Sequence, residues 1–405
     1  MTTPKDPFAI VRTKQYVALL ILAAVLGVVI SFLVYWYLKL VTDMQTWVFT
    51  DLPKGLGFSG EPPWWPLLPL AVAGAIVGAT IRYLPGRGGH SPADGFQTGP
   101  PAAAINLPGI FIASLAGLSL GAVIGPEAPV IALGGGLAVL AVKLARRDVP
   151  QRTAAVLAAT GSFAAISTLL GNPLSGAVLL LEASGLGGAT ATIALLPGLV
   201  GAGIGSLIFL GLGSLTGYGT FSLAVPDLPP AAHLNVAQLG WAIAIGAAAA
   251  VVCVGIKRSA LFVRPHIERL LLVLTPLAGF RGGPIFPSLF VGATGGILLS
   301  HLPGLPVIAG AAIGIGAMVA GMLQLPITAV LITTLFLGTD GVNTMPLTIL
   351  AVVTSFVLTK WLTGPPSKPA GGEQPAEDTG APAAPPKQRA ATDSPSPSRR
   401  DASSG

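Results

Sequence analysis

Between Asp94 and Lys143 the chain carries one formal charge, Glu127. The same scarcity recurs along its length. There is no Asp, Glu, Lys or Arg from Tyr16 to Leu38, or between Asp227 and Lys257. Glu182 stands alone between Arg152 and Asp227, and Arg281 alone between Arg269 and Asp340. A soluble domain carries about 25% charged residues. This chain has 9%, against 52% apolar, too few to keep a folded surface hydrated. A soluble enzyme is thereby excluded. The single Cys253 excludes a disulfide-stapled secreted domain. The net charge of +6 sits in short loops between apolar runs. That fits the cytoplasmic Lys/Arg excess of a multi-pass membrane protein better than nucleic-acid binding.

Three parts follow. Residues 1–14 are a short basic lead, with no signal-peptide cleavage pattern. Residues 15–363 are the membrane body, its first half about 15–215 and its second about 232–363. Residues 364–405 lack Val, Ile, Leu, Met and every aromatic residue, and so have nothing to build a core from. They read as a disordered cytoplasmic tail. Basic clusters at Arg82/Arg87, Lys143/Arg146/Arg147/Arg152 and Lys257/Arg258/Arg264/Arg269 are expected on the cytoplasmic side with both termini, while the stretch Asp43–Glu61 faces outward.

Tyr16–Leu38 is long enough for one clear spanning helix of more than about 20 residues. Many other apolar stretches meet Gly or Pro first: Ala102–Gly121, Pro129–Val142, Thr153–Leu170, Pro173–Leu181 and Pro287–Ser300. Backbone freed by such breaks must face protein or a water-filled cavity. Two of the breaks match. Gly125-Pro126-Glu127-Ala128-Pro129 and Gly283-Pro284-Ile285-Phe286-Pro287 each lead into a glycine-bearing apolar run. Further on, Gly161 precedes Pro173 by twelve residues, as Gly314 precedes Pro326. Two similar halves, each with a break followed by a helix, suggest a transporter or channel whose ion sites form where broken helices meet.

The breaks also suggest the ligand. Proline presets φ at a helix start and gives up an N–H that the helix would not use. The next amides point outward at the positive end of the helix dipole. Two such ends converging make an anion site without a fixed cation, weak enough to release its ion quickly. Glu127 lies inside the first break. A carboxylate in an apolar interior marks a functional position. It can act as a tethered anion that occupies the site when ionised and leaves when protonated or displaced. Apolar surroundings favour its protonated form and amide donors its ionised form, and the balance is not legible from sequence.

At these residues the chain resembles the CLC family of chloride channels and chloride/proton antiporters. Gly121–Gly135 looks like the family's second signature, Gly279–Gly296 like its third, and Gly171–Glu182 like its N-A-P-L-A-G segment. The first helix and Gly316–Leu337 keep the same order, so the resemblance covers nearly all of 15–363. It implies an all-α fold: a polytopic membrane protein of CLC type, in two inverted halves of about eighteen tilted and broken helices. It also implies a homodimer with one anion path per subunit. Glu127 then matches the gating glutamate, and Gly125, Pro126, Ala128, Gly283, Ile285 and Phe286 line the anion sites.

The departures bear on mechanism. The first signature is best matched by Gly88–Pro92, which puts Gly89 where the family has an anion-coordinating serine. Either Ser91 substitutes through a shifted loop or the site loses a hydroxyl. His90 reads as a loop residue. Pro284 removes an amide donor or shifts the register. Ala128 adds a methyl group near the gate. Glu182 matches the family's helix glutamate and is a candidate proton relay, but Ala183 occupies the position of the exchangers' proton glutamate. No tyrosine follows Tyr218, so the inner constriction of the family is missing. Both absences favour channel-like or weakly coupled transport of chloride over tight antiport with protons. Antiport is the alternative, and fluoride transport a minor one. A membrane hydrolase built on Ser91 with His90, or on Ser184, lacks an orienting third group. No metal-binding pair is apparent among His90, His233, His266 and His301. The expectation is therefore a plasma-membrane protein, not an enzyme, without cofactor or metal. Its partners are small anions, protons, lipid and a second copy, with no nucleic acid.

Overall fold

The computed structural model describes residues 9–89, 101–145, 150–185, 188–216, 225, 228–230, 235–271 and 280–364. His90, Ser91 and the tail from 365 lie outside them, as does most of the basic lead. Among the described residues there are thirteen α-helices and no strand. Helix α1 (Lys14–Thr46) continues through a wider turn at Trp47–Asp51 into α2 (Leu52–Gly55). Then come α3 (Leu67–Tyr83), α4 (Leu107–Ser119), α5 (Glu127–Ala145), α6 (Gln151–Leu170), α7 (Pro173–Ser184), α8 (Gly188–Thr216) and α9 (Val236–Leu271). The last four are α10 (Ile285–Leu299), α11 (Val307–Leu323), α12 (Pro326–Phe336) and α13 (Gly341–Thr363). Among the described residues, six segments are long and apolar enough to cross a membrane, and six further apolar helices are shorter. The protein is thus a multi-pass membrane protein built from a mixture of full and partial helices. The uncharged run expected to span lies in one helix, which extends to Thr46, beyond the charges Lys39 and Asp43, which pair with each other one turn apart.

The repeat in the sequence is a repeat in the fold. Helices α5, α6 and α7 correspond to α10, α11 and α12. Helix α6 ends on Gly171 in the left-handed conformation (φ 62°), followed by extended Asn172 and by Pro173 at the start of α7. Helix α11 ends on Gln324 in the same conformation (φ 61°), followed by Leu325 and by Pro326 at the start of α12. The residue before a proline is pushed out of the helical region, so both chains break at the same offset. A non-glycine left-handed residue costs about 1–2 kcal/mol. Gln324 offsets this by donating Nε2–H to the Gly321 carbonyl at 2.9 Å.

Small residues bring these helices together. A Cβ on Gly161 of α6 would run into the carbonyl oxygen of Gly134 on α5, and one on Gly314 of α11 into that of Gly292 on α10. In a bilayer, where lipid is as apolar as leucine, such close backbone packing replaces the hydrophobic drive between helices. Helix α11 is apolar all round and buried along nearly its whole length. The main apolar core draws Ile30 and Val34 from α1, Val130 from α5, Ile166 from α6, Leu179 from α7, Ile285 from α10, Val319 from α11 and Ile332 from α12. It therefore spans both halves and holds the starts of α5 and α10 in place.

Candidate functional site

The two matched breaks lie side by side. Gly125 donates its N–H to the Gly283 carbonyl at 2.9 Å, and Gly283 returns the bond at 2.7 Å. This single antiparallel bridge sets the two helix starts in the same register. In α5 the first amide to find a carbonyl is Val130, bonded to Pro126 at 3.0 Å; in α10 it is Ser288, bonded to Pro284 at 3.1 Å. Both helices therefore begin two residues before Pro129 and Pro287, at Glu127 and Ile285. Pro126 and Pro284 stand just ahead of the first turn. Since Pro129 and Pro287 have no N–H, the outward donors are limited to residues 127–128 and 285–286.

Glu127 is fully buried at the mouth of α5. Its Oε1 accepts the Ile285 N–H at 2.5 Å, so the carboxylate caps the start of α10 from the opposite half. Its Oε2 is buried without a hydrogen-bond partner among the described residues. A buried polar atom left unpartnered costs about 1–3 kcal/mol. The carboxylate is thus half held.

The other candidates divide. Ile285 and Phe286 are at the site; Phe286 also packs edge-on against Phe336 of α12, ring centres 6.3 Å apart. Ala128 is half-buried beside Glu127. Gly125 and Gly283 are at the site, but their amides are spent on each other, and Pro126 has no amide. Gly89 (φ 99°) donates its N–H to Gly86 at 3.0 Å and would set a Cβ against Ile110 of α4. A Cβ built on its neighbour Gly88 would meet the stem of Arg281 at 3.4 Å, two residues before Gly283, so this loop lies beside the second break. Glu182 sits elsewhere, at the start of α12. Its Oε1 accepts from Ile327 N–H at 3.0 Å, and its Oε2 from Thr328 N–H at 2.8 Å and the Thr328 hydroxyl at 2.6 Å. Sequence reasoning did not find Ile327 and Thr328 as its partners. The missing local cap was a signal: Asn172 caps α7 through Leu174 and Ser175, whereas α12 begins after Leu325, which cannot cap. Ser184 donates to the Leu181 carbonyl at 2.7 Å. No cluster of three metal-ligating side chains occurs among the described residues.

Comparison with known proteins places this arrangement. The family model described as voltage gated chloride channel matches residues 94–276 and 267–360, more than half of the chain and both breaks. The chain belongs to that family, which makes it a membrane anion transporter of CLC type. It is 26% identical to the "Putative ion-transport protein YfeO" of Salmonella choleraesuis (strain SC-B67), over 77% of this chain and 86% of the relative. Its fold is similar to that of a slow cyanobacterial Cl⁻/H⁺ antiporter, with a TM-score of 0.68, 18% identity, and coverage of 86% of this chain and 95% of the other. A CLC-type fluoride/proton antiporter aligns with a TM-score of 0.56 at 18% identity, over 85% of this chain and 95% of that one. A eukaryotic CLC transporter aligns with a TM-score of 0.52 at 14% identity, over 85% and 71%. The resemblance to CLC proteins and the all-α membrane fold are thereby borne out.

Proposed function

We propose that this protein carries chloride and similar small anions across the plasma membrane past the Gly125–Gly283 bridge, with Glu127 as gate, in a channel-like or weakly coupled manner. The observation that carries this reading is the half-held carboxylate: one oxygen on the first amide of α10, the other buried and unpartnered. An ionised Glu127 competes with a diffusing anion for the donors at 285–286. A protonated one has lost that advantage, so flux rises as pH falls. In this reading the path takes in the amides of Ala128 and Phe286 and is shaped by Pro126, the membrane domain is 15–363 with both termini cytoplasmic, and the protein works as a homodimer.

Weak coupling is supported by Glu182, whose two oxygens are both engaged by α12. A proton relay has to release its partners at each cycle, and three donors oppose that. Antiport is the second reading. It is favoured by the two structurally similar proteins described as proton antiporters, one for chloride and one for fluoride. Purified protein in liposomes with an imposed chloride gradient separates the two. Rapid chloride efflux without uphill proton movement is the expected result. Proton pumping at a fixed ratio to chloride overturns the channel-like reading.

A further inference from the structure

Gly125 and Gly283 face each other across the bridge, and residues paired in this way present their side-chain positions to the same face. Neither has a left-handed φ, so no turn requires glycine at either position. What excludes a side chain is Glu127. The three atoms nearest to a Cβ built on Gly125 all belong to Glu127, and so do the three nearest to one built on Gly283. All lie closer than any real Cβ contact. From this we infer that the two glycines form a seat for the Glu127 carboxyl, and that a methyl group at either position evicts it from the start of α10. The inference rests on the gating role proposed above and assigns the positioning residues that make it possible.

The obstacle in each case is the far end of a flexible side chain, not backbone. Rotating Glu127 away is therefore an easier response to a methyl group than moving either helix. The neighbouring Gly282 is different in kind. The three atoms nearest to a Cβ there belong to Ile124 and to the Gly125 carbonyl, at 2.6 Å and 2.9 Å for the closest of each, and none to the carboxylate. It provides a crowding control on the same strand.

The charge environment is sparse. Helices α4, α10, α11 and α12 carry no acid or base, and α6 carries only Arg152, in its first turn. Lys143 is at the far end of α5, and Lys39 and Asp43 of α1 pair with each other. Arg281 precedes the bridge, and Glu182 of α7 caps α12. A flat pH response in a glycine variant therefore reports on Glu127.

The test is chloride efflux from liposomes at about pH 4.5 and about pH 7.5, the first close to the ordinary carboxylate value and the second far above it. Wild type, G125A, G283A, G282A, E127Q and the double variant G283A/E127Q are compared. We expect G125A and G283A to lose the pH dependence and to run at pH 7.5 at the acid rate of wild type. G282A keeps the pH dependence, and the double variant matches E127Q. If E127Q is flat while both G125A and G283A keep the wild-type profile, the seat is wrong and the gate stands. If E127Q itself behaves as wild type, the gating reading fails first. Should G283A not fold, G125A carries the same test from the other strand.

Discussion

Glu127 and Glu182 are two solitary carboxylates from the first half of the chain, and each caps a helix of the second half. They differ in how well they are held. Glu182 receives three donors through both oxygens; Glu127 receives the Ile285 N–H on Oε1, with its own N–H beside the carboxylate, and Oε2 has no hydrogen-bond partner among the described residues. A satisfied carboxylate joins two elements. A half-satisfied one stores part of the penalty of its own burial and can move at little net expense. The same residue type thus braces two elements in one place and, in the proposed gate, is the movable element in the other. The comparison predicts that stability and transport respond in opposite order to the two substitutions.

The largest expected effect on stability is that of E182A. It strips the Ile327 and Thr328 donors of their acceptor and should cost about 2–4 kcal/mol, read as a lowered thermal midpoint in detergent. E182Q, which keeps one acceptor oxygen, should recover about half of that. If E182A melts like wild type, the brace is not one. Next comes G314A, whose methyl group would press on the Gly292 carbonyl where α10 and α11 cross. Overpacking of this kind costs about 1–3 kcal/mol, measured in the same melt, and an unchanged midpoint would mean the helices can part freely. N172A removes only the local cap of α7, worth about 1 kcal/mol. It sharpens the comparison by giving the scale of an ordinary cap beside that of Glu182. Smallest is E127A. It deletes an orphaned oxygen and frees one amide, so the midpoint should move by less than about 1 kcal/mol while flux changes strongly. A large loss of stability would place Glu127 with Glu182 as a structural cap.

The elements visible in sequence were those that leave a composition signature. Glu127 stood out because nothing else near it is charged, and the matched prolines aligned α5 with α10 and α7 with α12 before any helix was placed. The pairings were hidden. Glu182 meets Ile327 across 145 residues through backbone amides, which every residue but proline possesses, so no residue type marks the partner. The Gly125–Gly283 bridge is likewise a backbone event. A glycine letter does not distinguish an amide offered to a ligand from space left for a neighbouring side chain. Pro126 and Pro284 supply the first carbonyls of α5 and α10.

The most direct measurement is chloride efflux from liposomes holding wild type or E127Q, each at about pH 4.5 and about pH 7.5. The account predicts that wild type is faster in acid, and that E127Q is equally fast at both values, near the acid rate of wild type. An E127Q protein with the wild-type rate and the wild-type pH profile would contradict it.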